Sequence, residues 1–78
     1  MNVIIVATRT CHHRHILERQ LQALGVRYQV RFVEEHPHLV ERFALSSSPN
    51  LLVDDVLVFR AMHARLPSEA QLRAYLQL

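Results

Sequence analysis

Four β-branched residues stand in succession near the start of the chain, Val3-Ile4-Ile5-Val6. Branching at Cβ suits an extended backbone, and the run has none of the polar alternation that marks a strand with one wet face. It therefore predicts a strand covered on both faces, so the rest of the 78-residue chain must supply helices to both sides of a sheet.

The downstream patterning supplies them. Thr8-Arg9-Thr10 reads as a short loop, with Thr10 capping a helix that begins near Cys11 and runs to Leu24. Ile16, Leu17, Leu21 and Leu24 recur at helical spacing as its buried stripe, and Gly25 suits the position just past its end. Arg27–Phe32 alternates strictly, with Tyr28, Val30 and Phe32 on one face of a half-buried strand. Pro37 opens a second helix that buries Leu39, Val40 and Phe43. After the Ser46-Ser47-Ser48-Pro49 break, Leu51–Val53 and Val56–Phe59 form a hairpin about Asp54-Asp55. Ser68 and Gln71 spell a capping box for a last helix carrying Leu72, Tyr75 and Leu76. The five aromatic residues all fall at core-compatible positions.

The resulting order is β-α-β-α-β-β-α, an α/β domain spanning residues 1–78 without repeat or linker. A right-handed crossover makes the first two strands parallel, and the Asp-Asp turn makes the last two antiparallel. One mixed four-stranded sheet with helices on both faces accommodates every element, with Val3–Val6 in the middle and Arg27–Phe32 at an edge.

Composition narrows the function. Half the residues are apolar, enough for a core, and a single cysteine excludes an internal disulfide. The Val3–Val6 run is too short for a signal peptide or a membrane span, and a free thiol suits a reducing cytosol, so a cytoplasmic protein is expected. All nine basic residues are arginine, but they are spread from Arg9 to Arg73 and interleaved with seven acidic residues. That distribution lacks the basic stripe of a nucleic-acid binder, and neither nucleic acid nor membrane is expected as a partner.

Three landmarks carry a family resemblance: a strand ending in a Thr-x-Thr-Cys loop ("VATRTC"), a Ser-Pro step before the third strand ("SSSPNLLVDD"), and a hairpin leading to a final helix ("LVFRAMHARLPSEAQLRAYL"). In these the chain resembles the small glutaredoxin and thioredoxin-like proteins over nearly its whole length. The resemblance implies the thioredoxin fold, with Pro49 cis and beside the active-site sulfur, and with Ser48 offering backbone groups to a bound thiol peptide. The pattern also departs from that family. Its usual Cys-x-x-Cys is here Cys11-His12-His13-Arg14, which differs equally from the monothiol Cys-Gly-Phe-Ser. The Gly-Gly and acidic residue that help hold glutathione after the fourth strand are replaced by "RAMHARLPS".

At a helix start, Cys11 would find its thiolate stabilised by free N–H groups and the helix dipole. Arg14, three residues on, falls on roughly the same helix face and would activate it further; His12, His13 and His15 would add to this when protonated. With no second cysteine, a mixed disulfide on Cys11 must be resolved by an outside thiol, glutathione being the natural co-substrate. The expected activity is thus monothiol thiol-disulfide exchange on a disulfide or glutathionylated protein. Cys11 and Arg14 are the catalytic candidates; Thr10, His12, His13, Ser48 and Pro49 are the substrate-binding ones. No bound cofactor is expected.

Three other readings remain open. Cys11 is an idle, partly buried residue. The chain is a redox-inactive module that binds a peptide at the Ser48-Pro49 groove or at the edge strand Arg27–Phe32. Or Cys11 and His15, at i and i+4, hold a metal with His12 or His13. Against the last, consecutive histidines diverge by about 100° on a helix, and no second ligand cluster follows, so no metal site is expected. His36-x-His38 reads as surface, and Glu34-Glu35 as a solvated strand end.

Overall fold

The β-branched run lies where both of its faces are covered. In the computed structural model, which describes residues 1–61 and 65–78, it forms strand β1 (Val3–Ala7), and Ile5, Val6 and Ala7 are fully buried. The remaining elements are α1 (His12–Ala23), β2 (Gln29–Phe32), α2 (Pro37–Phe43), β3 (Asn50–Val53), β4 (Val56–Arg60) and α3 (Glu69–Leu76). This is the expected β-α-β-α-β-β-α order in one mixed sheet, β2-β1-β3-β4.

β1 pairs in parallel with β2 (Ile5↔Val30) and antiparallel with β3 (Ile5↔Leu51), while β3 and β4 are antiparallel. The apolar strand is therefore central and the alternating one lies at an edge. β2 is shorter than its sequence pattern, because pairing with β1 starts only at Ile4↔Gln29. Asp54 and Asp55 both take positive φ, 49° and 64°, the left-handed pair that matches the twist of a tight hairpin.

Strand alternation divides the core. Val3, Ile5, Ala7, Leu51 and Val53 meet Leu17 and Leu21 of α1 and Leu72 and Leu76 of α3 on one face. On the other, Val6 and Leu52 meet Leu45, with Leu39, Val40 and Phe43 of α2 packed against them. Pro37 stands in the first turn of α2, Gly25 at φ +71° closes α1, and Ser68 and Gln71 form the full capping box of α3.

Two core expectations are corrected. Ile16 is 47% exposed, because the face of α1 that meets the sheet is centred on Leu17 and Leu21. Phe32 is only half-buried: it ends an edge strand, and the charged side chains of Arg9 and, from α1, Arg14 cover its ring in place of apolar packing. Among the described residues, no helix is long and apolar enough to cross a membrane.

Candidate functional site

Where β1 ends, the chain turns through Thr8-Arg9-Thr10 into α1. The N–H of Cys11 donates to Thr8 O at 3.2 Å, closing the turn. Cys11, not Thr10, is the N-cap of α1, with extended dihedrals (φ −77°, ψ 109°) and no side-chain capping bond. The helix thus begins one residue later than a Thr10 cap requires. Cys11 is half-buried and lies against the apolar cluster shared by α1 and α3. Cys11 stands at the start of a helix, where the first-turn backbone N–H groups lack intrahelical acceptors.

The Ser48–Pro49 peptide bond is cis, and Pro49 is fully buried at the entrance to β3. The register Val6↔Asn50 continues outward to set Ser48 level with Thr8, and the N–H of Thr8 donates to Ser48 Oγ at 3.0 Å. The cysteine loop and the proline loop are therefore fastened together at one end of the sheet. Asn50, fully buried, braces the same corner by donating from Nδ2 to Val6 O (3.2 Å) and Ser47 O (2.7 Å). Pro49 O accepts from the N–H of Ala61. Among the described residues, the backbone N–H and C=O of Ser48 have no partner. A groove of about 330 Å³ runs beside them, with Val33, Val40 and Leu45 as its apolar lining and Thr8, Ser46, Ser47 and Ser48 along it.

Arg14 reaches away from the helix start. Its Nη1 pairs with Glu18 Oε2 at 2.5 Å, and its guanidinium lies 5.3 Å from the centre of the Phe32 ring. Glu18 is a junction that sequence reasoning passed over: Oε1 accepts from the hydroxyl of Tyr28 at 2.8 Å, and Tyr28 in turn accepts from Gln22. Burial, and after it the hydrogen bond to Glu18, hold the Tyr28 phenol above its ordinary 10.0. The i, i+4 spacing of Arg14 and Glu18 was the available signal.

Arg9 covers the same ring at 4.8 Å and pairs with Glu35, while its backbone N–H donates to Glu34 Oε2 at 3.1 Å. That bond lowers the Glu34 carboxyl below its ordinary 4.5. The acidic pair after β2 is thus exposed, yet it anchors the cysteine loop from the β2 side as Ser48 does from the β3 side.

His12 is exposed and His13 half-buried, flanking Cys11 in the first turn. His15 turns toward Glu18 (Nδ1 to Oε2, 3.8 Å), and among the described residues no three His, Cys, Asp or Glu side chains gather as a metal-holding group. His36 is half-buried, with Nδ1 at 3.2 Å from Phe32 O, so only His38 of that pair is on the surface. Residues 62–64, part of the segment standing where glutaredoxins carry Gly-Gly, lie outside the described residues.

No family model matches the sequence, and no curated protein matches it. Among solved structures, thioredoxin 1 from the thermophilic eubacterium Thermosipho africanus TCF52B matches with a TM-score of 0.66, covering 99% of this chain and 96% of that one. The chain has a thioredoxin-like fold. At 15% identity the likeness is one of architecture, and this thioredoxin-like chain carries its single cysteine and its cis proline at the same end of the sheet.

Proposed function

We propose that this protein is a monothiol thiol-disulfide oxidoreductase working through Cys11 in a reducing cytosol. The observation that carries the reading is the junction of the two loops: the Thr8 N–H to Ser48 Oγ bond fastens the loop that leads into the N-cap Cys11 to the cis Ser48–Pro49 step.

The Cys11 thiolate attacks one sulfur of a glutathionylated protein. The protein–glutathione S–S bond breaks, a Cys11–glutathione disulfide forms, and the protein thiolate leaves and takes a proton from solvent. A second glutathione thiolate then attacks the glutathione sulfur, releasing Cys11 thiolate and oxidised glutathione. The external thiol is required because Arg14 stands where a resolving cysteine would be. The N–H and C=O of Ser48, without a partner among the described residues, suit an extended peptide laid alongside as a short β-bridge, with Thr10, His12, His13 and Pro49 bordering it.

Turnover of a small glutathione mixed disulfide by wild type, Cys11→Ser and Arg14→Cys tests the reading. Activity in wild type, lost in Cys11→Ser, is the expected result. Activity that appears only in Arg14→Cys overturns it and marks a degenerate site.

One observation favours a second reading. Arg14, only 14% exposed on its side chain and paired with Glu18, serves packing in place of redox chemistry. A redox-inactive module binding a peptide at Ser48–Pro49 or along β2 follows, and partner binding unchanged by Cys11→Ser would establish it.

A further inference from the structure

α1 and α3 treat their first turns in opposite ways. In α3 the third helical residue, Gln71, reaches back to the cap: its Oε1 accepts from the N–H of Ser68 at 2.9 Å. In α1 the residue at the same position is Arg14 and the cap is Cys11, so the same backward reach would bring a fixed cation to the sulfur. Arg14 runs forward instead. Glu18 holds its Nη1 at 2.5 Å, the Phe32 ring lies beneath the guanidinium, and Nε is buried with no partner among the described residues. A buried donor left unpaired is a cost that the forward arrangement bears.

Glu18 is itself secured from the sheet edge, since Tyr28 donates to its other oxygen and Gln22 donates to Tyr28. His15 completes the surroundings, with Nδ1 at 3.8 Å from Glu18 Oε2 and Nε2 at 3.3 Å from Arg14 Nη2. We infer that Glu18 is a positioning residue that restrains Cys11: it draws the one permanent cation of the Cys-His-His-Arg segment away from the thiol, and loss of that hold makes the thiol more reactive. This regulation rests on Cys11 being the working group of the proposed activity, but it is measured without that activity.

The test is the alkylation rate of Cys11 by iodoacetamide across pH in the folded full chain, for wild type, Glu18→Gln, Arg14→Gln and the double variant. Glu18→Gln should alkylate about three- to tenfold faster at neutral pH, with its profile displaced to lower pH, as expected when a cation nears a thiolate. The double variant should lose that gain, because the gain acts through Arg14. An unchanged rate and profile in Glu18→Gln, or a double variant as fast as Glu18→Gln, overturns the inference. If Glu18→Gln does not fold, Tyr28→Phe, which removes the anchor of Glu18, should raise the rate in the same direction, and no rise would be equally fatal. Failure of the proposed activity reads differently: alkylation responds to Glu18→Gln while no variant turns over the mixed disulfide.

Discussion

Thr8 and Ser48, forty positions apart in sequence, are joined by a 3.0 Å hydrogen bond from the backbone N–H of the first to the hydroxyl of the second. Through it the loop that delivers Cys11 and the loop that delivers Pro49 become one structure. Ser48→Ala leaves that N–H to water and should cost about 1 kcal/mol, or roughly 4–8 °C in Tm for a domain of this size. Amide exchange at Thr8 should quicken in step. An unchanged exchange rate would show that the bond does not hold the corner.

Asn50 predicts a larger loss. It is fully buried and its Nδ2 serves two carbonyls, those of Val6 and Ser47. Asn50→Ala strands both acceptors in the interior and should destabilise by about 2–3 kcal/mol in urea unfolding. A change below about 0.5 kcal/mol would mean that water replaces the side chain.

The two neighbouring apolar residues of α1 should part company. Leu17→Ala opens a cavity between helix and sheet, at a cost of about 2–5 kcal/mol. Ile16→Ala, at a position 47% exposed, should cost about 0.5 kcal/mol or less. Equal losses in denaturant titrations would restore Ile16 to the core stripe.

Tyr28 should titrate above its ordinary 10.0, read as tyrosinate absorbance, because burial and the bond to Glu18 favour the neutral phenol. With the folded value above the unfolded one, its contribution to stability is complete below pH 10 and is lost as pH rises through the folded value. Glu18→Gln should bring the transition down toward 10.0.

Glu34 carries the opposite sign. The N–H of Arg9 favours the carboxylate and lowers its value below 4.5, so its contribution is present above 4.5 and lost as pH falls through the folded value. Carbon-detected NMR titration of the carboxyl should show the depression, and Glu34→Gln should abolish the acid-side change in the Arg9 amide shift.

The fold was legible because each element announces itself locally. A β-branched run, a Gly25 stop, a Pro37 start, an Asp-Asp turn and a Ser-x-x-Gln cap act within a few residues, and alternation then decides which side chains share a face. The candidate site was legible only as an address: one cysteine after a strand and one Ser-Pro step before another.

What tertiary structure decided lies between distant segments. Nothing near Thr8 indicates Ser48 as its acceptor, and nothing near Asn50 indicates Val6 O, because sheet register creates both encounters. The cap moved from Thr10 to Cys11, and the helix begins at His12, because Arg9 and Thr10 are taken up by the turn that the Cys11 N–H to Thr8 O bond closes. Phe32 left the core because it ends an edge strand, where the guanidinium groups of Arg9 and Arg14 cover its ring. Sequence by itself determined which elements form and in what order, since those choices are short-range. Only the packed sheet decided where the charge of Arg14 goes, because Glu18, Tyr28 and Phe32 converge on it from a helix and a strand.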